Sequence, residues 1–348
     1  MKVESDPTSR WERARNFVAR LLGRAPPVPG RFVTGSKFSW NGWLGLTPWV
    51  WPSREYLVYV PRGHSLWKRR PMIVLLHGCR QTPEEIATGT RIAALADRNG
   101  WLVLLPRQND KANPWRCWNW FDTRTSAGDG EVAIVLAQVR AVRRAFRAHP
   151  RQVFAAGMSA GGAFAATLGM STRQTFAGIF VHSGLASGAA SGPLVALDVM
   201  MRGADTKYEN VAAAARAQNP GSVVPLFAIR GGRDEVVAEI NAVQLVRQYL
   251  VRNGLLEPVE RPPAELPAAD AESSKDIDGA RTVNSTEYRI GDRAVVRLVR
   301  VPQLGHAWSG GDASLSYNDA EPPDATALLG EFIIEQIRYQ RRWGLRRA

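Results

Sequence analysis

Gly157-Met158-Ser159-Ala160-Gly161 is a G-x-S-x-G set between an apolar run, Gln152-Val153-Phe154-Ala155-Ala156, and a small-residue stretch over 162–168. A buried strand that turns sharply into a helix at this spacing thrusts the serine hydroxyl above the carboxyl edge of a sheet, as a nucleophile elbow. Glycines suit the flanks because the two backbones pass too close for larger side chains. The chemistry implied is nucleophilic attack on a carbonyl, with the Ala160 amide free to donate to an oxyanion. Alone, the pattern also fits a Gly/Ser-rich turn without chemistry, so its partners decide.

A serine hydroxyl needs a base to take its proton, and the base needs an acid to hold its tautomer. On an elbow of this kind the acid and then the base follow the serine in the chain. Only five histidines are available. His64 and His77 precede the serine, and His149 lies at the amino end of the nucleophile's own strand. His306 sits after the last strand in a glycine-bearing loop, Leu304-Gly305-His306-Ala307-Trp308-Ser309-Gly310-Gly311. It is the expected base. His182, ending the strand after the elbow, is the alternative base, and otherwise a packing or substrate-contacting residue. The expected acid is Asp234, just beyond the apolar run 224–230; its competing role is to cap a helix starting near 235. A second oxyanion donor is expected from Leu76-His77-Gly78-Cys79-Arg80-Gln81. The Cys79 amide is the first candidate there and Arg80 the alternative, with His77 shaping the loop. Trp118, Trp120 and Trp308 are candidates to stack on substrate, core packing being the competing role of the first two.

Elements must hold these residues. Strand-like runs fall at 55–60, 72–77, 101–105, 152–157, 176–182, 224–230 and 294–301, with helical patterns near 84–98, 129–147, 160–170, 235–252 and 324–342. Strands alternating with helices imply an α/β fold with a mostly parallel sheet covered on both faces. Ligands then sit beyond the carboxyl ends of the strands. Residues 1–30 read as an appendage, a basic amphipathic helix followed by a Pro-rich linker, and 31–348 as a single catalytic domain. Trp40, Trp43, Trp49 and Trp51 read as packing on a sheet edge. The stretch 257–283 is rich in Pro, Ala, Asp and Glu and shows no apolar period, so a surface excursion is expected there, followed by a hairpin turning at Gly291-Asp292.

With 348 residues, 45% hydrophobic and 22% charged, the chain has the composition of a globular enzyme. No apolar run approaches the roughly 18 residues of a membrane span. The net charge is +13, which raises the possibility of an anionic partner. The arginines are spread, however, over the two ends and one helix near 129–147, where Arg140, Arg144 and Arg147 flank a Val135, Val139, Val142 and Phe146 stripe. That is the pattern of a solvated basic face, and no nucleic acid is expected. The two cysteines, Cys79 and Cys117, match no metal-binding spacing; one bridge or two buried thiols both fit. No metal and no cofactor are expected. The N-terminal residues show no signal-peptide pattern, which leaves a cytoplasmic location open.

Five stretches together resemble the polyhydroxybutyrate depolymerase-type esterase family, which includes feruloyl and acetylxylan esterases. They are Leu75–Thr82, Arg116-Cys117-Trp118-Asn119-Trp120-Phe121, Ala156–Gly162, Val181-His182-Ser183-Gly184 and Gly305–Gly311. The resemblance implies an α/β-hydrolase fold, carboxylic-ester hydrolysis, and nucleophile, acid and base at Ser159, Asp234 and His306. It also implies a Cys79–Cys117 disulfide and an extracellular or periplasmic protein. One departure is Arg230-Gly231, where the family usually shows His-Gly ahead of its acid. No Ser/Thr-rich linker to a polymer-binding domain is seen, so soluble short-chain esters or hydroxyalkanoate oligomers are the expected substrates. Two segments, 108–130 and 184–208, are positioned to cover Ser159, and their polarity predicts an open cleft for small acyl groups. A carbohydrate esterase is the alternative activity. A non-catalytic scaffold binding an anionic partner is the alternative of another class.

Overall fold

A computed structural model describes residues 30–39, 52–172, 174–205, 208–277 and 281–344. The expected N-terminal basic helix and the tryptophan cluster at 40–51 lie outside the described residues. The chain builds a ten-stranded sheet. Its middle is parallel: β4 (Leu102–Pro106), β3 (Arg70–Leu76), β5 (Ala148–Met158), β6 (Gly178–His182), β7 (Leu226–Gly231) and β10 (Arg293–Val301), in that spatial order. Antiparallel strands extend both sides: β2 (Ser53–Val60) and β1 (Arg31–Phe38) beyond β4, and β9 (Arg281–Ile290) and β8 (Ala271–Ile277) beyond β10.

The apolar runs of the central strands are buried on both faces, as a covered parallel sheet requires. Successive side chains of β3 alternate between two cores. Val74 and Leu76 join Phe164, Val135 and Val139 on one face. Ile73 and Leu75 join Ile86, Leu95 and Phe332 on the other. The first layer uses α4 (Gly130–Phe146), α5 (Ala160–Ser171), α7 (Tyr208–Gln218) and α8 (Glu239–Arg252); the second uses α1 (Pro83–Gly89), α2 (Ile92–Asn99) and α9 (Ala325–Gly344). Two further helices are α3 (Thr123–Ser126) and α6 (Pro193–Arg202). On α4 the Val135, Val139 and Val142 stripe is buried while Arg140, Arg144 and Arg147 are exposed. None of the described helices is long and apolar enough to cross a membrane.

Three expectations change. The helical pattern near 84–98 is two helices, because the carbonyls a continuous helix would use are taken elsewhere. The Gly89 carbonyl accepts from the Asp312 amide at 2.8 Å and the Thr90 carbonyl from the Thr326 hydroxyl at 2.6 Å, with Arg91 left-handed at φ 53°. The 257–283 stretch is not a bare excursion. It contributes β8 and the start of β9, and Tyr288 Oη donates to the Pro267 carbonyl at 2.9 Å. β8 is exposed along nearly its whole length, so it shows no apolar alternation. The helix expected at 235 begins at Glu239, which frees Asp234.

Candidate active site

Ser159 stands between β5 and α5 with φ 56° and ψ −125°, a backbone region that a side-chain-bearing residue occupies only under constraint. The constraint is visible on either side. A methyl on Gly157 would collide with the Gly161 carbonyl, and one on Gly161 with the Leu76 carbonyl of β3. The Ser159 amide donates to the His182 carbonyl of β6 at 2.9 Å. The elbow is thus wedged between its two neighbouring strands.

Asp234 follows β7 on the tight turn Gly231-Gly232-Arg233. Its carboxylate meets His306 Nδ1 at 2.9 and 3.0 Å, and Oδ1 also accepts from the amides of Val236 and Val237. Burial alone would raise the Asp234 pKa. The His306 hydrogen bond and charge, the Val237 amide and the Ser183 hydroxyl outweigh it and hold the carboxyl below its ordinary range. The cap-like turn and the imidazole contact coexist on one side chain. Arg230, the departure ahead of the acid, is engaged elsewhere: it pairs with Glu239 at 3.0 Å.

Ser159 and His306 line one cavity of about 160 Å³. Cys79 and Arg80 bound it on one side; Met158, Met200, Val236 and Tyr317 supply the apolar wall. The Cys79 loop is held at several points. A disulfide joins Cys79 to Cys117, and the Gly78 amide donates to Gln81 Oε1 at 2.8 Å. The Arg80 amide donates to the Trp115 carbonyl at 2.6 Å, whereas the Cys79 amide meets no acceptor among the described residues. Of the two candidate donors only Cys79 is free. Ala160, first residue of α5, carries an amide that no intrahelical carbonyl can satisfy. His77 is fully buried and braces the loop: Nδ1 donates to the Gly78 carbonyl at 2.8 Å and Nε2 accepts from the Gln108 amide at 3.2 Å. Burial lowers its pKa to about 4.

Three expected substrate contacts are corrected. Trp118, Trp308 and His182 are 0%, 1% and 0% exposed, and none lines the cavity. Trp118 stacks on Phe164 and donates Nε1 to the His77 carbonyl. Trp308 stacks on His182 and donates to Thr326 Oγ1. Trp120 is buried too. These rings build the floor beneath the site. Of the two covering segments, 184–208 reaches the cavity, through Met200 on α6, and 108–130 does not. The reading missed Met200, Val236 and Tyr317. Tyr317 is brought beside His306, with ring centroids 6.5 Å apart, by a short parallel ladder between β11 (Trp308–Ser309) and β12 (Asn318–Asp319).

Comparison with known proteins bears on the fold and the family of this chain. A solved acetyl xylan esterase from Aspergillus awamori superposes with a TM-score of 0.61 at 15% identity, covering 79% of this chain and 94% of that one. The fold is therefore the α/β-hydrolase fold. A poly(3-hydroxybutyrate) depolymerase of Ralstonia pickettii is 27% identical over 193 residues, which is 50% of this chain and 38% of the relative. Feruloyl esterase B of Thermothelomyces thermophilus is 30% identical over 138 residues, 40% of this chain and 46% of the relative. The chain thus matches less than half the length of either. The family described as esterase PHB depolymerase matches residues 54–264, a span that holds the elbow, both cysteines and Asp234. By that match the chain belongs to the PHB depolymerase esterase family.

Proposed function

We propose that this protein is a serine carboxylic-ester hydrolase for short-chain or hydroxyalkanoate-type soluble esters and oligomers, with Ser159, His306 and Asp234 as nucleophile, base and orienting acid. The observation that carries the reading is that Ser159 and His306 line the same cavity while Asp234 holds His306 by Nδ1. With Nδ1–H given to Asp234, the other ring nitrogen of His306 is left to take the serine proton. Ser159 Oγ attacks the ester carbonyl, and the oxyanion forms against the amides of Cys79 and Ala160. His306 returns the proton to the leaving alcohol. Water, activated by the same imidazole, then releases the acid from the acyl-enzyme.

The small cavity and its Met158, Met200 and Val236 wall favour a short acyl group; longer chains gain little burial per carbon there. Leu194, Leu197 and Met201 on α6 are exposed, and none of them lines the cavity. A carbohydrate esterase is the second reading, favoured by Tyr317, a partly exposed aromatic ring on the cavity wall. The disulfide fits an oxidising compartment.

Purified protein assayed on p-nitrophenyl acetate, butyrate, octanoate and palmitate tests the reading. Expected is kcat/KM highest for the short esters, and a loss of about 10⁴-fold or more in Ser159→Ala with the fold retained. Absence of hydrolysis by the intact protein would favour the non-catalytic scaffold. Values rising steadily to palmitate would require an apolar tunnel. Methyl ferulate or acetylated xylan cleaved in preference to every alkyl ester would favour the carbohydrate esterase.

A further inference from the structure

His182 and Ser183 are buried and have no part in the chemistry above, and Ser183 lines one small void with Asp234. His182 Nε2 faces the amide of Ser309 at 3.4 Å, and its Nδ1 faces Ser183 Oγ at 3.3 Å. An amide can only donate, so Nε2 must carry the lone pair and Nδ1 the proton. The imidazole is neutral, because full burial lowers its pKa to about 3. Trp308, stacked 5.3 Å away, fixes the ring plane. Ser183 Oγ therefore accepts from His182, and its own proton is left for another acceptor; Ser183 and Asp234 line the same small void, and the hydroxyl helps to hold the Asp234 carboxyl below its ordinary range.

Backbone conformation makes the same point. Ser183 sits at φ 49°, a left-handed region that glycine occupies freely and serine does not. The following residue, Gly184, shows that this stretch admits glycine. A strained serine in a sheet-end turn is kept by something its hydroxyl does.

We infer that Ser183 is a positioning residue for the acid: held by the Nδ1–H of His182, its hydroxyl donates to Asp234 and fixes the carboxylate toward His306. The inference rests on the triad reading above. The chain of donors runs from the Ser309 amide through His182 and Ser183, with the Asp234 carboxylate as the last acceptor, while His306 donates to the same carboxylate. Other charge near Asp234 is diverted, since Arg230 and Arg300 both pair with Glu239. When His306 takes up the serine proton in the transition state, the acid must stay ionised and in place. A donor that cannot itself dissociate, aimed by a neutral imidazole, serves that end.

Ser183→Gly and Ser183→Ala, beside Ser159→Ala, test this on p-nitrophenyl acetate. Glycine suits φ 49°, so Ser183→Gly removes the hydroxyl while relieving the backbone, and it should melt no lower than Ser183→Ala. Expected is a fall in kcat of about 10-fold in both variants, the weight of one hydrogen bond to a charged group, with KM changed less than about 2-fold. The acid limb of the kcat/KM profile should move to higher pH, because a carboxylate that has lost a donor holds the neighbouring imidazolium proton more tightly. Ser183→Gly with parental kcat and an unmoved limb, while Ser159→Ala is dead, would overturn the inference and leave the triad standing. Loss in Ser183→Ala alone would assign the effect to backbone strain and overturn it equally. An active Ser159→Ala would strike the triad reading itself.

Discussion

The two flanks of Ser159 are built by different means. On one side the Cys79 loop is clamped by a disulfide, by hydrogen bonds from its amides to Gln81 Oε1 and the Trp115 carbonyl, and by the buried His77. What it offers the cavity is a backbone amide, and its geometry should not change during a reaction. On the other side the Asp234 and His306 loops have no covalent tie. Backbone hydrogen bonds join them, from the Gly232 amide to the Val301 carbonyl and from the Arg233 amide to the Leu304 carbonyl, with the Asp234–His306 side-chain pair between them; in the proposed reaction that imidazole takes up and gives back a proton. The contrast teaches that a preorganised dipole can be fixed rigidly, whereas a proton carrier needs partners that tolerate both of its charge states.

Breaking the proton-carrying flank should cost most. Asp234→Asn keeps size and capping but lets His306 take the wrong tautomer, and a fall in kcat of about 10⁴-fold is expected with little change in melting temperature. A variant keeping a tenth of the activity would place the acid elsewhere. The clamped flank should yield a stability effect first. The Cys79–Cys117 bridge spans 38 residues, so replacing both cysteines by serine should lower the unfolding free energy by about 4 kcal/mol, an upper figure for such a loop. kcat should fall more than KM rises. Urea unfolding alongside kinetics checks this, and unchanged kcat would show that the clamp serves folding alone.

The smallest effect sharpens the comparison through pH. His77 and His182, one behind each flank, have pKa values lowered to about 4 and about 3 by burial. Unfolded, each titrates near 6.5. Below that value the unfolded chain binds more protons, so the stability these groups confer is complete above about pH 6.5 and is lost as pH falls toward their folded values. Asp234, also lowered, acts with the same sign at more acid pH. Each histidine should contribute a slope of up to about 1.4 kcal/mol per pH unit. Urea midpoints from pH 6.5 to 4.5 should fall less steeply in His77→Gln and in His182→Gln than in the parent. Equal slopes in all three would mean that neither ring is buried neutral.

The three positions that meet at the cavity follow from chain order and local backbone: Ser159 from its glycines, Asp234 from a strand end, His306 by elimination among few histidines. Tryptophan roles do not, because composition does not tell which face of a loop a ring takes; Trp118 and Trp308 turn inward onto Phe164 and His182. Cavity walls were hidden for another reason. Met200, Val236 and Tyr317 come from three distant segments, and no spacing links them. The β8 strand escaped notice because a ladder exposed on both faces needs no apolar period. The split at Arg91 depends on donors contributed more than 200 residues later.

That same β8 strand has a colloidal meaning. A sheet this wide must stop somewhere, and an unfinished ladder invites pairing with another molecule. Glu272, Lys275 and Asp276 stand along the last strand, all exposed, so a second copy approaching this edge would have to strip water from charges of both signs. The polar composition that made the segment look structureless is what lets the sheet end there in water.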